Sequence, residues 1–418
     1  MQGGSARRVC GTPGRPPDDG AGPVTLSDFK VIVIGAGIGG LAAALALRAR
    51  GADVTVCEQA PAITEVGAGL QVTPNGLAVL RALGLEAALS RDAVQAAAVV
   101  LRDHSDGAEV LRLDLARLAA GQRYCFIHRA DLIGCLADAA RAAGVRILTG
   151  RRAETVAPGL RPDVTFADGA RMEADLVVGA DGLHSRARRA LGEAGRPFFT
   201  GQVAWRATVD VDGDIAPEAS VFMGPGRHLV TYPLRGGRMI NLVAVQERAG
   251  WTAEGWHHEG RADDLRAAFA DFGGAAAGLL ARVGPVGIWG LYRHDVADCW
   301  QRDGVAILGD AAHPTLPFMA QGANLALEDA WVLADCLAGA GRRDEGLAAY
   351  QQRRAARARR VVAAAGGNAW KYHLRPPLRG AAHLALRVGG RIAPGRMVRQ
   401  FDWIYGHDVT AGGGRGRG

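Results

Sequence analysis

Short apolar runs rich in β-branched residues alternate along the chain with longer stretches of alanine, leucine and arginine. Lys30 to Ile34 (KVIVI) reads as a strand buried on both faces, and Leu41 to Arg50 (LAAALALRAR) as the helix behind it. Further strands are predicted over Asp53 to Cys57, Asp175 to Val178 and Val305 to Leu308, and a helix over Leu325 to Leu337. Strands separated by helical stretches point to an α/β architecture with a parallel sheet. Between Gly201 and Val245 the pattern becomes strand after strand: Val203 to Val209, Ser220 to Met223, His228 to Pro233 and Arg238 to Gln246, with glycine turns at 224–226 and 236–237. That pattern predicts an antiparallel sheet covering the first domain.

The first strand-to-helix turn reads Gly35-Ala36-Gly37-Ile38-Gly39-Gly40. Gly35 permits the tight turn, Gly37 lets the backbone approach a pyrophosphate, and Gly40 lets helix and strand pack closely, while the helix N-terminus faces the phosphate charge. Glu58 follows the second strand, 58 − 35 = 23 residues after Gly35, where an acid binds an adenosine ribose. Glycines alone are a weak signal; strand, turn, helix, strand and acid in order make a Rossmann-like dinucleotide site. Two more acids follow strands, Asp181 and Asp310. A short acid there can accept hydrogen bonds from sugar or polyol hydroxyls, and is equally a good helix N-cap.

Asp181-Gly182-Leu183-His184-Ser185-Arg186-Ala187-Arg188 fits the pattern DGxxSxxR, and Gly309-Asp310-Ala311-Ala312-His313-Pro314 follows the last predicted strand. With these motifs in this order, the chain from about Phe29 to Asp408 resembles the group A flavoprotein monooxygenases, the family of para-hydroxybenzoate hydroxylase, and within it the salicylate and 3-hydroxybenzoate 6-hydroxylase branch. The resemblance implies a discontinuous FAD-binding domain, a substrate domain built on the antiparallel sheet, and C-terminal helices. The corresponding ranges are 28–198 and 293–365 for the FAD-binding domain, 199–292 for the substrate sheet and 366–408 for the helical end. The Gly/Pro-rich tails, 1–27 and 409–418, are expected to be disordered. The resemblance further implies that Asp310 binds the ribityl chain and that Asp181 serves FAD and the path of the nicotinamide cofactor. Arg129, in Ile127-His128-Arg129-Ala130-Asp131-Leu132, matches an arginine that contacts FAD, and is otherwise a surface residue at a helix start. Gly322, Ala323 and Asn324 open the helix at Leu325, where backbone amides would meet the flavin pyrimidine edge. In the implied reaction NADH or NADPH reduces FAD, O₂ adds at flavin C4a, and the hydroperoxide hydroxylates a small aromatic substrate, with no metal. No second complete GxGxxG unit offers the nicotinamide a domain of its own.

The substrate wall is sought on the strand His228-Leu229-Val230-Thr231-Tyr232. Residues 228, 230 and 232 share one face, and His228 and Tyr232 lie about 13 Å apart at about 3.3 Å per residue. Removing a phenol proton makes the ring electron-rich, and a histidine titrating near working pH is a suitable base, with a tyrosine hydroxyl to orient or relay. Relatives of the 3-hydroxybenzoate 6-hydroxylase and 6-hydroxynicotinate monooxygenase type carry the same His-x-x-x-Tyr arrangement; a core histidine and a packing tyrosine are the alternative. Arg206, Gln71 and Arg235 are possible partners for a substrate carboxylate. Pro317 and Phe318 stand where hydroxybenzoate relatives often have a polar side chain, which predicts a more apolar pocket for a salicylate-like, hydroxybenzoate-like, hydroxypyridine-like or larger aromatic.

Composition narrows the class. The 418 residues exceed one ordinary core, and the formal net charge of +7 gathers in the tails and in Gln351 to Arg360 (QQRRAARARR), which reads as the solvated face of a helix. No basic patch carries interleaved aromatics, so nucleic-acid binding is not expected. No apolar run reaches the roughly 18 residues of a membrane span, and the six cysteines lack metal spacing. A cytoplasmic protein, monomer or homodimer, is expected. Competing readings are a flavin oxidoreductase without oxygen insertion and a flavin-binding redox sensor. Halogenases of this fold use an active-site lysine, whereas the lysines here are Lys30, before the first strand, and Lys371, far downstream.

Overall fold

The glycine turn is built as its residues require. In the computed structural model, which describes residues 26–63, 69–193, 195, 197–250 and 258–411, β1 (Lys30–Ile34) is buried from Val31 onward and α1 (Ile38–Arg48) packs behind it. The helix starts three residues before the predicted Leu41. Two glycines in a first turn are poor helix formers, but here contact demands them. A Cβ on Gly40 would lie 2.0 Å from the Gly35 carbonyl oxygen, and one on Gly39 2.8 Å from the Leu308 side chain.

β1 lies between β2 (Asp53–Cys57) and β12 (Leu176–Gly179), and β8 (Arg146–Leu148) and β20 (Val305–Ile307) extend the same parallel sheet. Antiparallel β19 (Gln301–Arg302) ends it, giving the order β19-β20-β12-β1-β2-β8. Residues near the start and three quarters along the chain thus meet in one sheet. α4 (Arg129–Ala142) and α8 (Gly322–Gly339) pack on α1, and α9 (Arg343–Tyr372) runs along α8. Three-stranded β3 (Gly69–Val72), β7 (Cys125–His128) and β4 (Val94–Gln95), and β9 (Ala153–Ala157), β10 (Asp163–Phe166) and β11 (Arg171–Glu173), form two small sheets. Short helices α2 (Pro74–Ala82), α3 (Glu86–Leu89) and α5 (Arg186–Ala190) complete this region.

The large sheet has the order β17-β18-β13-β16-β15-β14-β5-β6, from β5 (Ala98–Asp103), β6 (Glu109–Asp114), β13 (Phe198–Asp210), β14 (Glu218–Gly224), β15 (Arg227–Leu234), β16 (Met239–Glu247), β17 (His258–Gly260) and β18 (Val286–Arg293). It is therefore not confined to 199–292: β5 and β6 come from the first part of the chain. β5 also pairs parallel with β14, so the sheet is mixed rather than wholly antiparallel. Ala98-Val99-Val100-Leu101 is apolar at every position because both faces are covered, and the period of two is hidden there.

Register sorts the sheet into two faces. Arg206 lies beside Val243, Val243 beside Val230, Val230 beside Val221, Val221 beside Leu101 and Leu101 beside Leu111, one row across six strands. The opposite face, with Trp205, Phe222, Leu229 and Leu242, is covered by Leu265, Phe269 and Leu280 of α6 (Ala262–Ala268), its C-terminal edge and α7 (Gly274–Arg282). The expected C-terminal helices are α10 (Leu378–Ile392), α11 (Pro394–Arg399) and α12 (Asp402–Tyr405). α10 and α11 pack on β6, and Tyr405 sets its ring edge-on to Tyr124 at 5.9 Å.

The tails differ from expectation at their inner ends. Leu26 and Val409 are buried in the main core, since each completes an apolar contact at the margin of the first domain. Residues 1–25 and 412–418, with the arginines counted there, lie outside the described residues. Among the described residues no helix is long and apolar enough to cross a membrane.

Candidate active site

A cavity of about 510 Å³ opens between the parallel sheet and the row from Arg206 to Leu111. Gly37, Arg129, Asp310, Gly322 and Ala323 line one side, and Arg206, His228, Val230, Tyr232 and Val243 the other. Three glycine-bearing segments far apart in sequence therefore share one space with the predicted histidine and tyrosine.

The first side suits a dinucleotide. The N-termini of α1 and α8 both reach the cavity and neither has a side-chain cap, so their leading amides are available to an anion. A Cβ on Gly37 would meet no heavy atom within 4 Å, which leaves its backbone open to a ligand. Gly35 adopts φ +102° and a Cβ there would sit 2.5 Å from the Ala180 carbonyl oxygen, so this turn admits glycine alone. Glu58 closes β2 and accepts hydrogen bonds from the Ala36 amide at 2.8 Å and the Ala60 amide at 2.9 Å, fixing an acid beside the glycine turn. Asp310 opens to the cavity rather than to bulk water; enclosure by protein raises its pKa, with His313 and Arg129 acting against that. Thr315 adds a buried hydroxyl with no hydrogen-bond partner among the described residues. Amides and an arginine for phosphates, and acids for hydroxyls, fit FAD.

Other predicted residues are turned inward. Asp181 accepts from the Ser185 hydroxyl and the Arg186 amide, both at 2.6 Å, so its carboxylate caps the start of α5. Burial raises its pKa against those bonds, while its neighbours Ala180 and Gly182 line the cavity. Arg188 of the same motif is buried and donates to the Ala311 carbonyl at 3.3 Å, tying the second motif to the third. Asn324 accepts from the Thr73 amide at 3.1 Å and donates to the Gln71 carbonyl at 3.1 Å, clamping β3 to α8.

Behind this wall lies a buried ion network that the sequence pattern concealed. Arg354 is 1% exposed and donates to Asp329 at 2.7 Å and to Glu328 at 2.5 Å. Arg357 forks onto Glu328 with two bonds of 2.7 Å. The sequence alone places these arginines on a solvated helix face. Their helix instead lies along α8, whose paired acids face them, and burial of such arginines requires such partners. Asp329 also accepts from the Gly309 amide at 3.0 Å and pairs with His313, while Asn75 donates to Glu328 at 2.6 Å. Burial opposes the charge on Asp329, but His313 and Arg354 outweigh it and hold its pKa at about 2. The network thereby fixes both ends of the segment from Gly309 to Asn324.

On the second side, His228 and Tyr232 project from the same face of β15 into the cavity, as their spacing predicted. Both are buried. Burial, then His373, lowers the pKa of His228 well below the usual histidine value; burial raises that of Tyr232, partly offset by Arg206. Phe318 sets its ring edge-on to His228 at 5.3 Å, and Pro317, Leu316 and Val245 line the cavity around it, in keeping with the apolar pocket expected. Of the three possible carboxylate partners, Arg206 and Gln71 line the cavity. Arg235 does not: it forks onto Asp131 at 2.9 and 3.1 Å, because its strand end carries it past the cavity rim. Lys371, read from the sequence as far downstream of the site, in fact lines the cavity, brought there by the length of α9, so its distance along the chain does not argue against a halogenase. His373 escaped notice for the same reason; no local signal at the end of a long helix marks it as a neighbour of β15.

The comparisons agree with this geometry. A family model described as an FAD binding domain matches residues 28–365. The chain is 38% identical over 362 residues to 3-amino-4-hydroxybenzoate 2-monooxygenase of Streptomyces cremeus, covering 83% of this chain and 88% of that protein. It is 34% identical over 393 residues to 6-hydroxynicotinate 3-monooxygenase of Bordetella bronchiseptica, covering 91% and 96%. Among solved structures, HpxO of Klebsiella pneumoniae complexed with FAD and uric acid superposes with a TM-score of 0.79 at 28% identity, covering 89% of this chain and 96% of that one. A dinucleotide cradle facing a histidine- and tyrosine-bearing sheet, in a chain with these relatives, belongs to the group A flavoprotein monooxygenases, the FAD-dependent aromatic hydroxylases.

Proposed function

We propose that this monooxygenase hydroxylates a single-ring phenolic acid of the hydroxybenzoate or hydroxynicotinate type, held between the cofactor cradle and the β13–β16–β15 face. The observation that carries this reading is the placement of His228, Tyr232 and Arg206 on one cavity wall opposite Asp310 and Gly322. FAD, when bound, supplies the reducing equivalents taken from NAD(P)H and the activated oxygen atom. Gly37, Arg129, Gly322 and Ala323 would hold its charged and polar edges, with Glu58 and Asp310 on its hydroxyls.

His228 removes the substrate phenol proton at Nε2, since Nδ1 is engaged by His373. Burial keeps the imidazole neutral, which is the form a base needs. Tyr232 stays a neutral phenol and donates to a second polar group of the substrate, away from the oxygen that faces His228. Arg206, whose guanidinium lies 4.7 Å over the Trp289 ring, offers a planar cation to the carboxylate. Val230, Val243, Leu316 and Phe318 exclude water from the reacting ring. The free thiols of Cys57, Cys125, Cys135, Cys299 and Cys336 support a reducing, cytoplasmic setting.

The test is NADH and NADPH oxidation by the FAD-loaded protein with 3-amino-4-hydroxybenzoate, 6-hydroxynicotinate, 3-hydroxybenzoate and salicylate, with products identified by mass. Substrate-stimulated turnover and a product heavier by one oxygen are expected. His228→Asn should lower hydroxylation by about 100-fold or more while bound-FAD absorbance is unchanged. Bound FAD with no oxygenated product from any of the four would overturn the substrate class.

A further inference from the structure

His228 does not end in the core. Its Nδ1 lies 2.7 Å from Nε2 of His373, and Nδ1 of His373 lies 3.0 Å from Oε1 of Glu247. The two imidazoles are buried, whereas the Glu247 side chain is 43% exposed. One end of this line is in the cavity wall and the other in water. The backbone holds the line in place: the Gly226 amide donates to the His373 carbonyl at 3.1 Å, and the Glu247 amide donates to the Gly226 carbonyl at 2.9 Å. Three elements, β15, β16 and the end of α9, are thus pinned at one point beside the two rings.

We infer that His228, His373 and Glu247 form a proton path between the substrate cavity and solvent, in which His373 and Glu247 are positioning residues that forward the proton taken up by His228. This rests on His228 being the base of the proposed reaction. The tautomers that satisfy both bonds and leave Nε2 of His228 as an acceptor have His228 Nδ1–H donating to His373, and His373 Nδ1–H donating to Glu247. The substrate O–H bond then breaks as Nε2 of His228 gains a proton, His228 Nδ1–H passes to His373 Nε2, and His373 Nδ1–H passes to Glu247 and water. The substrate becomes a phenolate, one proton leaves, and both rings remain neutral. The path run backwards returns a proton to the product oxygen and restores the starting tautomers.

The surroundings favour passage over storage. Burial lowers the pKa of both histidines, so neither holds a second proton readily, while Glu247 works against the lowering at His373. The groups facing the rings are Tyr372, at 5.3 Å from His228 and with its pKa pushed by burial to about 12, Phe318, Glu247, and Arg375, which lies 3.4 Å from Glu247. Among these, Glu247 is the acceptor that reaches water.

The experiment uses the FAD-loaded full chain in rapid mixing with 3-amino-4-hydroxybenzoate, or with 6-hydroxynicotinate if the wild type oxygenates only that compound. His373→Gln keeps a polar side chain but cannot pass a proton, and should slow hydroxylation about tenfold or more with bound-FAD absorbance unchanged. His373→Gly should be restored by added imidazole, a response that a packing role would not give. Glu247→Gln, at the wet end, should slow the step about threefold and displace its pH profile; it serves as the readout if the His373 variants lose FAD. Normal rates and an unmoved pH profile in His373→Gln and Glu247→Gln, with His228→Asn impaired, would overturn the path alone. Normal rates in His228→Asn, or no oxygenation by the wild type, would overturn the parent reading and the path with it.

Discussion

Two groups of buried titratable side chains flank the cavity, and they are built on opposite principles. Around Asp329 and Glu328 every charge is matched: two arginines, a histidine, an asparagine and a backbone amide converge on two acids, and the group is sealed. Around His228 there is no matched charge at the buried end, only two neutral rings in line, open to the cavity and to water. The closed group can only hold a shape; the open one has somewhere to send a proton. Burial alone therefore says little about what a polar residue does, and the number of ends left open says more.

The largest effect that bears on this contrast is expected from Arg354→Met. It leaves Glu328 and Asp329 without their buried partner, and a loss of about 3–5 kcal/mol is expected by urea unfolding. A loss below about 1 kcal/mol would mean the network is not the support described. Acid titration separates the two groups next. The folded pKa of His228 and His373 lies below the ordinary 6.5, so the unfolded chain binds more protons and stability falls as pH drops below 6.5. The Asp329 contribution is complete above 3.8 and fades as pH falls toward about 2. Urea midpoints at pH 7 and pH 5 should therefore drop in the wild type and drop less in His228→Asn; equal drops would remove the histidine line from the account. The smallest effect is expected from Arg235→Ala, whose pair with Asp131 is partly exposed. A change of about 1 kcal/mol or less and an unaltered KM are expected, and a raised KM would return Arg235 to the substrate site.

What the sequence made legible follows from where the signals are local. The turn from Gly35 to Gly40, the strand carrying His228 and Tyr232 and the segment from Gly309 to Asn324 each state their geometry within a few residues, and the glycine turns at 224–226 and 236–237 mark off the large sheet's middle strands. Arg354 reads as solvated because an arginine-rich helix face shows no partner in its own sequence, and Glu328 and Asp329 lie opposite it on another helix. His373 carries no local signal, and Lys371 reads as remote from the site although it lines the cavity, because a helix of 30 residues carries its end far from its own neighbourhood. β5 reads as part of the first domain because a strand covered on both faces shows no alternation, and β6 goes with it as its antiparallel partner. In each case the missing information was the identity of a partner remote in sequence.

α9 joins the two groups in one rod. Arg354 and Arg357 lock its middle to α8, and His373 caps its C-terminal end. Each added or deleted residue between those points would turn the end of the helix by about 100° and shift it by about 1.5 Å. The stretch from Ala358 to Tyr372 is consequently a fixed-length ruler: substitutions along its outer side are tolerable, but a single insertion would swing His373 away from His228 while leaving the cofactor cradle whole.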